Sequence, residues 1–147
     1  MAILYPRKAV DEPIPAYGAW ANGLGAKVTL PAETHYLLLA PEMVSLKDGD
    51  LALDATTAVI RRTKERTVIA LLQGRRVRAG AIEVIATAPV SVEVSAKSAV
   101  GETAGGAQTV TLTLPFDGKI TIDGKPAGRT ERRTATIAVP AGEHRFR

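Results

Sequence analysis

Val90-Ser91-Val92-Glu93-Val94-Ser95 sends three valines to one side of an extended chain and Ser, Glu and Ser to the other. A period of two belongs to a β-strand with one buried face, because successive Cβ atoms point to opposite sides of the pleat. The same alternation returns in Val110-Thr111-Leu112-Thr113-Leu114 and again at Ala135, Ile137 and Val139. Upstream, Leu51 to Asp54, Thr57 to Arg62, Arg66 to Leu72, Arg75 to Arg78 and Ala81 to Ala86 read as strands. Lys47-Asp48-Gly49-Asp50, Thr63-Lys64-Glu65 and Gln73-Gly74 separate them with turn residues. Lys27 to Leu30 and Thr34 to Ala40 are expected to end at Pro31 and Pro41, since proline has no donor for a ladder. Pro31-Ala32-Glu33 is also compatible with a helical turn. About ten short strands at sandwich-like spacing, with no 3.6-residue stripe, make the fold class all-β. The expected body is a small antiparallel β-sandwich or barrel-like unit.

Around that core, composition sets further bounds. A chain of 147 residues supports one ordinary domain or two small ones. It contains no cysteine, which excludes disulfides, thiolate metal sites and thiol catalysis. Apolar residues are 46% of the chain but aromatics only 4%, so Val, Ile, Leu and Ala must build the core. No apolar run approaches the roughly 20 residues that span a bilayer. The opening Met1-Ala2-Ile3-Leu4-Tyr5-Pro6-Arg7-Lys8 places its charges after its apolar patch, the reverse of an export signal. The net charge of +4 is modest, and 12 arginines account for most of the positive side.

The chain divides by composition into four stretches. Residues 1–26 hold Pro6, Pro13 and Pro15, the aromatics Tyr5, Tyr17 and Trp20, and Gly18, Gly23 and Gly25. Proline and glycine both oppose continuous regular structure, so an extended N-terminal arm is expected, its aromatics lying against a surface. Residues 27–96 carry the main run of strands. Residues 97–109 are small, polar and Gly-rich, the composition of a linker. Residues 110–147 form a compact C-terminal β module, with turns at Pro115-Phe116-Asp117-Gly118, Asp123-Gly124 and Pro140-Ala141-Gly142.

Within that last stretch, Ile120-Thr121-Ile122-Asp123-Gly124-Lys125-Pro126-Ala127-Gly128-Arg129-Thr130 is followed by Ile137-Ala138-Val139-Pro140-Ala141-Gly142-Glu143-His144. The pair resembles a PEGA domain, whose hairpin and closing strand show this order of turn residues. The chain departs from the family's naming motif, with Pro115-Phe116-Asp117-Gly118-Lys119 in its place. The resemblance implies a β module that serves as a non-catalytic interaction or spacer unit. Residues before 110 carry no family likeness.

Chemistry-bearing constellations are sparse. His35 and His144 are the two histidines, the second expected on the same strand face as Phe146 as a core or edge group. No nucleophile elbow, phosphate loop or dinucleotide motif occurs. Asp48, Asp50 and Asp54 lack the later bidentate glutamate of a calcium loop and read as a solvated turn. No catalytic, metal or cofactor-binding residue is therefore assigned, and the chain reads as a non-enzyme. Arg61, Arg62 and Arg66, then Arg75, Arg76 and Arg78, are expected to share one edge if their strands are adjacent. No aromatic residue interleaves with them for base stacking, which argues against nucleic acid. Arginine pairing with acidic faces of sister subunits suits them better.

The expected role is structural, as a phage virion component of head, neck, tail or baseplate that docks on copies of itself and on other assembly proteins. Tyr5, Tyr17, Trp20 and the six arginines are the expected partner-binding residues. A cell-surface or carbohydrate-binding β module is the alternative.

Overall fold

The computed structural model describes residues 14–147, and among them it is almost entirely antiparallel β. Thirteen strands follow in order: β1 (Ala16–Trp20), β2 (Gly25–Thr29), β3 (Glu33–Asp48), β4 (Leu51–Thr63), β5 (Arg66–Ala79), β6 (Ile82–Ile85), β7 (Val90–Ser95), β8 (Ala99–Thr103), β9 (Gln108–Thr113), β10 (Lys119–Ile122), β11 (Lys125–Arg129), β12 (Thr134–Val139) and β13 (His144–Phe146). A single 3₁₀ turn, Ala21–Gly23, joins the first two. No helix among the described residues is long and apolar enough to cross a membrane.

Three long strands organise the molecule, and each is interrupted at the same level. The β3–β4 register breaks between Leu39 and Val44, and the β4–β5 register shifts around Ala55 and Thr57. Pro41 and Gln73-Gly74, expected to end strands, instead sit inside β3 and β5 at this level. The correction has a physical reason. A proline or bulge that interrupts one ladder bends a long strand without ending it. Gly74 is required there, because a Cβ would come 2.6 Å from both Cα and Cβ of Ala55.

Beyond the bend the sheet forks. The first half of β5 pairs with β7 and the second half with β6. Layer one therefore runs β1-β2-β3-β4-β5-β7-β8-β13-β10-β11, using the near halves of the long strands. Layer two uses their far halves and continues through β6, β9 and β12. One core cluster joins both layers. In layer one an inward row passes through Tyr36, Ile60, Ile69, Val92, Gly101, Phe146 and Ile122. In layer two it passes through Leu46, Leu53, Val77, Val84, Leu112 and Ala135. Apolar rows on inner faces are the driving term of sheet-on-sheet packing, at roughly 25 cal/mol per Å² of apolar surface removed from water.

Two of the four expected stretches change character. Residues 97–109 do not form a linker across their length, because β8 lies within them, paired with β7 on one side and β13 on the other. The glycine that suggested flexibility is needed for packing: the Phe146 ring occupies the space where a Gly101 side chain would stand. Glycine within a strand commonly marks such a close approach. The C-terminal strands complete the body, β9 extending layer two from β6 and β13 extending layer one from β8. From Ala16 onward the expected arm is a β-hairpin, β1 on β2 with Ala16 opposite Thr29 and Trp20 opposite Gly25. The arm's first 13 residues, Tyr5 among them, lie outside the described residues.

Candidate interaction surfaces

Trp20 ends β1 with its ring in the core, 6% exposed, edge-on to Tyr36 at 5.2 Å between ring centres. Its indole N–H donates to Asp48 Oδ2 at 2.9 Å, at the end of β3. A buried indole needs that partner, and the bond ties the N-terminal hairpin to layer two. Trp20, expected to grip a neighbour, is thus an anchor within its own subunit. The reason is position: the last residue of a five-residue strand with this register falls on the inward face. Tyr17 takes the opposite face and is 47% exposed, and Ile14 just before β1 is 75% exposed.

The six arginines do not gather on one edge, because β4 and β5 bend and distribute them over different faces. Arg61 Nε donates to Glu33 Oε2 at 2.6 Å. Arg62 forms a two-pronged pair with Asp50, at 2.9 and 2.8 Å. Arg66 Nη1 meets Glu93 Oε1 at 3.0 Å, and Arg76 Nε meets Glu83 Oε1 at 2.7 Å with Asp54 also nearby. Arg78 Nε donates to the Gly80 carbonyl. Five of the six are therefore engaged within the chain, and Arg75 is exposed. These pairs shift titrations as opposite charges do. The Arg62 guanidinium holds the Asp50 carboxyl below its ordinary range, and Glu83 raises Arg76 further. The Glu33 carboxyl is lowered first by the His35 ring at 2.9 Å and then by Arg61. Exposed pairs of this kind stabilise a fold only slightly.

The acids of the Asp48–Asp54 turn are also spoken for, Asp48 by Trp20, Asp50 by Arg62 and Asp54 by the Ser45 hydroxyl at 2.6 Å.

A contact that sequence reading missed joins the two halves of the C-terminal motif. His144 Nδ1 lies 2.7 Å from Asp123 Oδ2, and Asp123 Oδ1 accepts from the Arg145 backbone N–H at 3.0 Å. His144 Nε2 faces the Ala141 carbonyl at 3.2 Å. Both ring nitrogens thus face acceptors, an arrangement that the doubly protonated imidazolium satisfies best. Asp123 accordingly raises the His144 pKa, while His144 lowers that of Asp123. Chemically this is a clamp across the Asp123-Gly124 turn, with neither nitrogen aimed at a nucleophile. Beside it an open groove of about 540 Å³ is lined by Leu72, Pro89, Ser91, Glu102 and Thr103. The signal in the sequence was only the pairing of a turn aspartate with a later histidine, which no spacing rule connects.

Layer two presents Lys47, Ala52, Arg78, Glu83, Thr113 and Thr134 in one row, with hydroxyl contacts between Thr111 and Thr136 in the next. Layer one presents Ala19, Ala26, Leu37, Val59 and Ala70 in a row that continues into Ser91 and Glu102, and beside it a row of Tyr17, Val28, His35, Arg61, Val68 and Glu93. Leu39 and Leu72, exposed by 60% and 49%, lie on the same layer near the bend. No protein-family model matches this chain, and no curated protein matches it.

Proposed function

We propose that the chain is a non-catalytic structural protein of a supramolecular assembly, of the kind that serves as an accessory component of phage heads, necks, tails or baseplates. Its N-terminal region docks to neighbouring subunits. The observation that carries this reading is the outermost strand β1, which bears exposed Tyr17, follows exposed Ile14 and contains no charge. Large exposed apolar groups gathered at one edge are a recurrent mark of an interaction site. The ion-paired arginines contribute less to docking, since guanidinium groups held by Glu33, Asp50, Glu83 and Glu93 must first exchange partners. The PEGA-like likeness of residues 110–147 fits the same reading, since that family serves without chemistry, although here these strands complete both layers of the body.

The test follows from where Trp20 lies. Removing residues 1–26 would strip a core anchor, whereas removing residues 1–13 leaves the hairpin whole. The full chain is expected to sediment as a defined oligomer, and the chain that lacks residues 1–13 and carries Ile14→Asp, which removes the exposed apolar group before β1, to assemble at least tenfold more weakly. A full chain that stays monomeric in isolation and fails to bind other particle proteins would defeat the reading.

A further inference from the structure

Four strand edges bound the two layers among the described residues: β1 and β11 in layer one, β12 and the far half of β3 in layer two. An unpaired strand edge offers a row of free N–H and C=O groups, and proteins blunt such rows with charge, proline or a covering element. β11 contains Lys125, Pro126 and Arg129. The far half of β3 contains Lys47 and Asp48. β12 lies alongside β11, close enough that a Cβ on Gly128 would stand 3.9 Å from the Ile137 side chain. β1, by contrast, is Ala16-Tyr17-Gly18-Ala19-Trp20. It has no charge, no proline and no register shift, and four of its five residues are exposed.

We propose that β1 is a pairing edge whose occupant is β1 of a second copy of this chain, antiparallel, with the two-fold axis through Gly18. This inference rests on the assembly reading and names its contact. Three observations favour a second copy over an unrelated strand. First, the strand is complementary to itself. In that register Tyr17 faces the partner's Ala19, so each exposed bulky residue meets a small one, while Trp20 keeps its ring in its own core opposite the partner's Ala16. Second, a neutral edge has no charge with which to select a charged partner and none to repel its own copy. Third, the outward row Ala70, Val59, Leu37, Ala26 and Ala19 continues across the axis into the partner's Tyr17, so pairing extends an uncharged row of five residues beside β1. Main-chain bonds supply the affinity of such strand addition, and the alternate side chains supply its register.

The absence of cysteine makes the register directly testable. Opposed residues of antiparallel strands have Cα atoms roughly 4.5–5.5 Å apart, within disulfide reach. A side chain at Gly18 meets nothing within 4 Å, so Gly18→Cys is tolerated. At about 100 µM, suited to a small interface, the full chain is expected to sediment at twice its 15.5 kDa mass. Gly18→Cys should then cross-link on mild oxidation at least tenfold faster than Thr136→Cys, placed on layer two. Tyr17→Lys with Ala19→Lys should weaken dimerisation at least tenfold while circular dichroism and melting stay unchanged, since both side chains point away from the core. A dimer indifferent to the lysine pair, or one that ignores Gly18→Cys, overturns the edge contact but leaves the assembly reading standing if loss of residues 1–13 with Ile14→Asp still weakens assembly. A monomeric full chain that dimerises only after loss of residues 1–13 also overturns it, by showing that this segment covers the edge in its own subunit. A chain monomeric in every form overturns the contact. The assembly reading falls with it only if binding to other particle proteins is also absent.

Discussion

The two ends of layer one solve the same problem in opposite ways. Each is held to the core by one aromatic anchor, Trp20 at the N-terminal end and Phe146 near the C-terminal end. Each finishes in a short outer strand. Yet β11 carries Lys125, Pro126 and Arg129 and lies beside β12, whereas β1 carries no charge at all. Anchoring an edge strand and protecting it are thus separate properties. A strand can be fixed firmly to its own subunit while its outer hydrogen-bonding row stays free for another chain.

The largest effects should come from the anchors. Phe146→Ala removes a ring that fills the space over Gly101, and large-to-small changes at such sites cost about 3–5 kcal/mol. Chemical denaturation should read that loss. Gly101→Val should be similarly damaging by crowding the ring, and the two changes combined should cost clearly less than their sum. At the other end Trp20→Phe keeps most of the buried area but leaves Asp48 without its donor, so about 1–2 kcal/mol is expected. If Trp20→Phe proves as costly as Phe146→Ala, the hairpin is a larger part of the core than its single anchor implies.

The comparison can also be broken by making the two edges alike. Replacing Lys125, Pro126 and Arg129 with threonine, valine and threonine removes the charges and proline that guard β11. Light scattering should then reveal larger, concentration-dependent species, because a chain with two open edges can propagate where one open edge closes as a pair. An unchanged mass distribution would mean that β12, and not charge, protects that end.

The smallest effect is a pH dependence at the C-terminal clamp. His144 has a raised pKa in the folded chain, so its contribution is full below its ordinary value of 6.5 and fades as pH rises through the higher folded value. Asp123 has a lowered pKa, so its contribution is full above its ordinary value of 3.8 and fades as pH falls through the lower folded value. The pair therefore supports the fold most between those two ordinary values. His144→Gln should flatten the alkaline side of the melting-temperature profile while leaving β1 pairing unchanged. A profile identical to that of the unaltered chain would remove the clamp's role.

Much of the architecture was legible from alternation alone. Val90–Ser95, Gln108–Thr113 and Thr134–Val139 each bury one residue in two, as their sequences require. The turns at Gly49 and Asp123-Gly124 stand where glycine and aspartate placed them, with the positive φ such residues tolerate. Less legible were the residues that act at a distance. Pro41 and Gly74 looked like strand ends, and only the aligned bend of three neighbouring strands makes them corners. Gly101 looked like flexibility until the Phe146 ring was placed over it. The arginines looked like one cluster because they are near in sequence, yet the bend of β4 and β5 separates them.

What the sequence determined by itself is local: the period of two, the antiparallel class, the turn positions and the uncharged character of β1. These depend on residues within a few positions of each other, so pattern suffices to read them. What only the tertiary structure decided is which groups meet across the fold, including Trp20 with Asp48, Phe146 with Gly101, Asp123 with His144, and which strands are outermost among the described residues. Those contacts join residues from 21 to 45 positions apart, and no local periodicity encodes the bend and fork that bring them together.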